Sequence, residues 1–233
     1  IKAELEKRGY SNPLIADIHF NPRLAEIAAR HIEKVRINPG NFYDKRAVFE
    51  HLIYTDEQYR EELQRIEEQF IPFLEMLKKS NTALRIGANQ GSLSDRIMSR
   101  YGDTSTGIVE SVMEFLRICK KVGFRNVVIS IKSSNTRVMV YTVRLLCYRM
   151  RMEDLTFPLH LGVTEAGEGE DGRIRSCVGI GALLADGIGD TIRVSLTEKP
   201  EREIPVAQKL IAHFRSYHDH QPISAPLHAQ TNP

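Results

Sequence analysis

Short aliphatic runs that alternate with helix-length amphipathic segments constrain this chain more than any other feature. Such alternation builds βαβ units rather than a sandwich or a helical bundle. Six runs occur: Leu14–Phe20 (LIADIHF), Lys34–Asn38, Ala83–Gly87, Val127–Lys132, Leu159–Val163 and Thr191–Leu196. The segments between them carry helix signals. Asn21 precedes Pro22 as an N-cap, and Thr55 with Gln58 forms a capping box. After that box, Tyr59, Leu63, Ile66, Phe70, Leu74 and Leu77 keep a spacing of three or four, which predicts a long helix with one apolar stripe, kinked at Pro72. Further helices are expected over 107–121, after Asn135, over 174–184 and after Glu201. The segment after the third run mixes loop and helix signals.

Six β/α units suit either a doubly wound sheet or a (β/α)8 barrel. The strand ends separate the two. A dinucleotide-binding sheet would place a GxGxxG loop after an early strand, and none is present. Instead, polar residues spaced by two end several runs: Asp17 and His19, Arg36 and Asn38, Arg85, Ser130 and Lys132, Arg193 and Ser195, with Thr164 and Glu165 after the fifth. A barrel delivers alternate side chains to its mouth in this way. The fold class is therefore read as α/β, a partial TIM (β/α)8 barrel. A whole barrel needs about eight strands, so the first two are expected to precede Ile1. IKAELEKRG reads as the end of a helix stopped by Gly9, which also suggests a piece of a longer protein.

Composition bounds the partners. With 42% hydrophobic residues in 233 the chain can bury a large core, and 32 Lys and Arg against 30 Asp and Glu leave a net charge of +2. No global basic excess points to nucleic acid. No apolar run is long enough to span a membrane and no signal peptide opens the chain, so a soluble protein is expected. Cys119, Cys147 and Cys177 form no CxxC pair and fall in helical patterns, where they suit small core positions.

Against this neutral background, Arg36, Arg85, Lys132 and Arg193 converge on strand ends and suit a phosphorylated, even diphosphorylated, small molecule. Each cation alone can equally pair with a neighbouring carboxylate. Glu165 follows LHLGVT at the mouth and can serve as an acid, a ligand or an orienting group; a solvated loop glutamate is the alternative. Asp17 and His19 share a strand face, which makes an incomplete metal site or a hydrogen-bonded pair. Gly179–Gly189 is better explained by helix packing and capping than by phosphate binding. His213, His218 and His220 lie in a Pro-rich segment with nothing to pre-organise a metal. Lys132 also allows a Schiff base, which keeps open a non-redox phosphate-binding barrel such as an aldolase or a pterin-binding module.

Five motifs in order, PLIADIHFNPRLA, VRINPGN, LRIGANQGSLSDRIMSRYGDT, PLHLGVTEAGEGEDGRIRS and GIGDTIRVSLTEKPEREI, resemble the barrel domain of the 4-hydroxy-3-methylbut-2-enyl diphosphate synthase family. The long stretch between the second and third motifs and the EGEDG loop resemble its larger, three-domain form. The resemblance implies reductive ring opening of 2-C-methyl-D-erythritol 2,4-cyclodiphosphate in non-mevalonate isoprenoid biosynthesis. It also implies a 4Fe–4S cluster, a ferredoxin or flavodoxin as electron donor, and a homodimer, with no nucleic acid and no membrane as partner. It places substrate contacts at Arg36, Asn38, Lys132, Arg193 and Ser195, and the family's acidic residue at Glu165; Arg85, Asp17 and His19 complete the expected site. The family's cluster ligands, three cysteines and a glutamate of a C-terminal domain, have no counterpart in this sequence, so the chain alone is expected to be inactive. Residues 1–212 are read as the substrate-binding barrel domain, incomplete at its N-terminus, and 213–233 as a tail or linker towards a following inserted domain. A bacterial cytoplasm or a plant plastid stroma is the expected location.

Overall fold

The computed structural model describes residues 1–44 and 53–215. All six expected runs contain a strand: β1 (Ile15–Asp17), β2 (Lys34–Ile37), β3 (Ala83–Asn89), β4 (Val127–Lys132), β5 (His160–Leu161) and β6 (Thr191–Ile192). They pair in chain order and all in parallel, β1 to β4 in one sheet and β5 with β6 in another, joined by a parallel bridge between Ile129 and Leu159. Sequential parallel strands with a helix on each crossover form the wall of a barrel. Among the described residues no pairing joins β6 back to β1.

The helices are α1 (Lys2–Lys7), α2 (Pro22–Ala29), α3 (Asp56–Ser80), α4 (Asp95–Tyr101), α5 (Ser105–Lys121), α6 (Thr136–Met152), α7 (Gly169–Ala185) and α8 (Glu203–Arg215). Their starts follow local chemistry. The Asn21 side chain accepts from the Arg23 amide, and both halves of the Thr55–Gln58 capping box form. The ambiguous segment after β3 resolves because Ser94 caps α4 and Thr104 caps α5. Helix α3 runs through Pro72 without interruption, burying Tyr59, Ile66, Phe70, Phe73, Leu74 and Leu77. Helix α7 starts five residues earlier than the apolar pattern alone marks. Arg173 and the Gly169 amide both bind Glu198, which holds its first turn. At Gly179 an added Cβ would lie 2.6 Å from Val163 and 2.9 Å from Met139, so the glycine stripe of α7 serves close packing against β5 and α6. Helix α8 continues to Arg215, and its Phe214 packs on the core beside Gly181. His213 is therefore helical, whereas His218 and His220 lie outside the described residues.

Alternation gives the sheet two unlike faces. Leu84, Ile86 and Ala88 on β3 and Val127, Ile129 and Ile131 on β4 are buried towards the helices, while Arg85, Gly87, Asn89, Ser130 and Lys132 face the barrel interior. On the helix side one polar network interrupts the apolar layer. Arg96 of α4, 2% exposed, grips both carboxylate oxygens of Glu114 on α5 at 2.7 and 2.8 Å and Asp44 at 2.9 Å. Tyr59 of α3 donates to the same Glu114, and its ring lies against the guanidiniums of Arg96 and Arg100 at 4.5 and 4.0 Å. The network ties the long helix α3 to the barrel wall.

Removing one partner from such a network strands buried charge. Arg96→Leu is expected to lower stability by about 3–5 kcal/mol, and adding Glu114→Gln should return part of the loss because one stranded carboxylate is neutralised. Urea unfolding of the two single variants and the double variant measures this; additive losses would show that the residues act separately.

Candidate functional site

The inward face of β1 to β4 is built around Arg36, which is 4% exposed. Register places Asp17, Arg36 and Arg85 side by side on adjacent strands. The Arg36 guanidinium donates to Asp17 Oδ1 at 2.7 Å, to the Gly87 carbonyl at 2.8 Å and to Asn89 Oδ1 at 3.3 Å, and it also contacts the His19 imidazole. Room for it comes from Gly87, where a Cβ would lie 2.5 Å from Arg36 Nε and 2.9 Å from Ser130 Oγ. A long cation on one strand fits over a glycine on the next. Gly162, directly after β5, instead makes room for the chain after β6, since a Cβ there would lie 3.0 Å from the Arg193 carbonyl oxygen and in ordinary contact with Lys132.

Electrostatics follow from this crowding. Burial alone would raise the Asp17 carboxyl, but Arg36 and Arg85 outweigh it and hold the group below its ordinary range. His19 is pushed down by burial and by Arg36, against the pull of Asp17, so its ring is neutral near pH 7. Lys132 is pushed down to about 8, first by burial and then by Arg85, Arg193 and Arg36. Among the described residues no carboxylate lies within ion-pair distance of its ammonium. Arg193, with a side chain 50% exposed, has Glu203 only at 4.0 Å. The Nε groups of Arg36 and Arg85 are buried without an acceptor. This surplus of donors and positive charge favours an anion with several oxygens.

The structure thus brings together Asp17, His19, Arg36, Arg85, Lys132 and Arg193, five of them on strands or their ends as the spacing indicates. Arg85 differs in depth: β3 runs to Asn89, so Arg85 lies two inward positions below the strand end. Asn38 departs from its expected role. It is fully buried; its Oδ1 accepts from the Gly40 amide and its Nδ2 donates to Ser92 Oγ at 2.9 Å. Its amide shapes the turn after β2 rather than the mouth. Ser195 is half-buried on the segment after β6. Glu165 is exposed at the exit of β5 with φ 52°, a left-handed conformation that costs a non-glycine residue about 1–2 kcal/mol. Its neighbours Val163 and Ala166 are buried and anchor it. Sequence reasoning missed Asn89 and His160. Their signal is parity: Asn89 keeps step with Arg85 and Gly87, and His160 with Gly162 and Thr164.

The cysteines do not converge. Cys119 is buried in α5, where burial pushes its thiol up to about 12, and Cys147 and Cys177 sit half-buried on α6 and α7. A buried thiol held protonated is a poor ligand for an iron–sulfur cluster, so these residues do not fit that cofactor. Among the described residues no three His, Cys, Asp or Glu side chains group as metal ligands, and no helix is long and apolar enough to cross a membrane.

Comparison with known proteins agrees with this geometry. The chain is 63% identical over 227 residues, 97% of its length, to the 4-hydroxy-3-methylbut-2-en-1-yl diphosphate synthase (flavodoxin) of Parabacteroides distasonis, covering 37% of that protein. It is 58% identical to the enzyme of the same name from Protochlamydia amoebophila over 93% of the chain and 33% of that protein. It is 56% identical over 90% of the chain to the chloroplastic, ferredoxin-named synthase of Arabidopsis thaliana, of which it covers 28%. The chain therefore spans about a third of the length of these relatives. The model of the GcpE TIM-barrel domain matches residues 2–208, and the chain belongs to that family as its barrel domain.

Proposed function

We propose that this chain is the substrate-holding barrel of a 4-hydroxy-3-methylbut-2-enyl diphosphate synthase, which opens the ring of 2-C-methyl-D-erythritol 2,4-cyclodiphosphate reductively with loss of water. The observation that carries the reading is the inward cluster of Arg36, Arg85, Lys132 and Arg193, with more donors than its own carboxylates can satisfy. Two linked phosphates supply the missing acceptors. The names of the relatives support the choice of substrate and of a flavodoxin or ferredoxin as donor. The redox chemistry of a 4Fe–4S cluster would come from residues other than those described here, since the three cysteines do not fit one.

Within this scheme the chain's own residues bind and orient. Arg36, fixed by Asp17, the Gly87 carbonyl and Asn89, contributes its positive charge from a rigid position, with Nε as its one unpartnered donor. Arg193, more exposed, closes on the ligand from β6. Glu165, exposed beyond the end of β5, is assigned proton transfer at the departing hydroxyl. Lys132 neighbours three arginines, which with burial outweigh the one opposing carboxylate, Asp17, an environment that also suits a Schiff-base lysine. The diphosphate reading uses all four cations together. Assembly as a homodimer and a bacterial cytoplasmic location belong to the same proposal.

Three outcomes test it in the full-length protein. Arg193→Ala should weaken cyclodiphosphate binding by about 1.5–3 kcal/mol, the loss of a charge-assisted hydrogen bond, without unfolding; titration calorimetry with unchanged affinity would remove it from the site. Glu165→Gln should keep binding and lower turnover about 10²-fold or more, assayed with a chemical reductant so that donor docking is not limiting. Near wild-type turnover would make Glu165 a rim residue only. The third outcome concerns pH. A bound anion raises the depressed Lys132, so its contribution is whole below pH 8 and fades above it. Affinity for inorganic pyrophosphate should lose up to about tenfold per unit above pH 8 relative to Lys132→Arg. Parallel profiles for the two proteins would exclude Lys132 from anion binding.

A further inference from the structure

His160 lies inside the barrel yet belongs to none of the interactions described above. On β5 it pairs with Thr191 of β6, and its Nδ1 is 2.8 Å from Thr191 Oγ1. Its Nε2 is buried and has no partner. The charged groups that act most on the ring are cations: Arg85 from β3, Lys132 from β4, Lys34 from β2 and Arg193 beyond β6. Burial and these cations push the imidazole down to about 3, so it is neutral. A neutral ring has one N–H. Facing cations, Nε2 keeps the lone pair, and Nδ1 carries the hydrogen and donates it to Thr191.

The inward acceptors Asp17, Asn89 and the Gly87 carbonyl are engaged by Arg36, so an unshared acceptor there needs explanation. Arg85 Nε, which faces the same interior, is a buried donor without an acceptor. A phosphate oxygen satisfies the arginine but has no hydrogen for the imidazole. An alcohol satisfies both at once, accepting from Arg85 and donating to His160. We infer that His160 Nε2 and Arg85 Nε form a hydroxyl subsite beneath the anion site, so that His160 is a specificity-determining residue selecting phosphorylated ligands that carry an alcohol. The inference rests on the anion-site reading above and adds the second functional group that the ligand must present.

The test is calorimetry on the full-length protein with two probes that differ by one hydroxyl, 2-hydroxyethyl diphosphate and ethyl diphosphate, alongside the cyclodiphosphate. Wild-type protein should prefer the hydroxyl-bearing probe by about tenfold or more. His160→Leu should abolish the preference while leaving ethyl diphosphate within about twofold, and His160→Gln, whose amide oxygen is an acceptor, should restore part of it. Should the leucine variant fail to fold, Thr191→Val, which unpins Nδ1 but keeps the ring, must reduce the preference. Equal weakening of both probes would make His160 structural. An unchanged preference, as when a water fills the subsite in every state, would also overturn the inference. The two readings separate cleanly. Cyclodiphosphate binding with no dependence on His160 sinks the hydroxyl subsite alone. A hydroxyl preference without cyclodiphosphate binding sinks the synthase reading alone.

Discussion

Burying the Arg36 guanidinium inside the barrel is the constraint on which the rest of the site depends. A guanidinium presents five donors in a fixed plane, and at 4% exposure water cannot satisfy them. The acceptors come from β1 and β3: Asp17, the Gly87 carbonyl and Asn89. A slip of one residue in either strand would turn these acceptors to the helix side, so the cation pins the register of three strands at once. It also dictates Gly87, because any side chain there would occupy the space of the guanidinium. Buried ion pairs of this kind add little net stability. What Arg36 gains from Asp17 is a fixed direction.

Holding several like charges together works against folding, and the outer layer offsets it. The helix-facing sides of β3 and β4 are aliphatic and fully covered, and Ile66, Phe70, Leu74 and Leu77 of α3 have no exposed surface. The Arg96–Glu114–Asp44 network lies on that side, with its charges matched by short hydrogen bonds. An unpartnered Nε occurs on both sides, in Arg96 on the outer and in Arg36 and Arg85 on the inner; what differs is charge, since among the described residues Lys132 has no carboxylate at ion-pair distance and Arg193 has Glu203 at 4.0 Å. The same residue types therefore do opposite work on the two faces. Where each cation meets carboxylates, as Arg96 does, the arginine is architecture; where cations outnumber the carboxylates beside them, the face carries a positive potential.

This difference explains what the sequence made legible. Period-two spacing shows which residues share a face, and so Asp17, His19, Arg36, Arg85, Lys132 and Arg193 were found together. Spacing does not show depth, and Arg85 lies two inward positions below the end of its strand because β3 continues to Asn89. Nor does it show which of two uses a polar side chain takes. Asn38 stands before Pro39 and Gly40, and its amide is spent on that turn and on Ser92. An asparagine before such a turn is a cap in many chains, a signal that its position at a strand end obscured. His160 was hidden for the reverse reason. It lies early in a run that reads as aliphatic, and only the parity with Gly162 and Thr164 gives its direction away. The Arg96 network joins positions 18 to 70 residues apart, a separation at which single-sequence patterns carry no pairing information.

Two strand exits store backbone strain, and the position of that strain bears on what the mouth is for. Phe20 after β1 and Glu165 after β5 adopt φ values of 62° and 52°, where a glycine would fit without cost. Neither is glycine. At Glu165 the conformation is enforced on both sides: the Thr164 amide donates to the Ser133 carbonyl after β4, Val163 is 1% exposed and Ala166 is fully buried. With its neighbours held inside the wall, the left-handed turn leaves Glu165 exposed. A glycine would relax the turn and lose the carboxylate, whereas an unstrained turn would keep the carboxylate and lose its direction. Strain of this kind persists where the surrounding structure holds it, and here the buried Val163 and Ala166 and the Thr164 hydrogen bond do so.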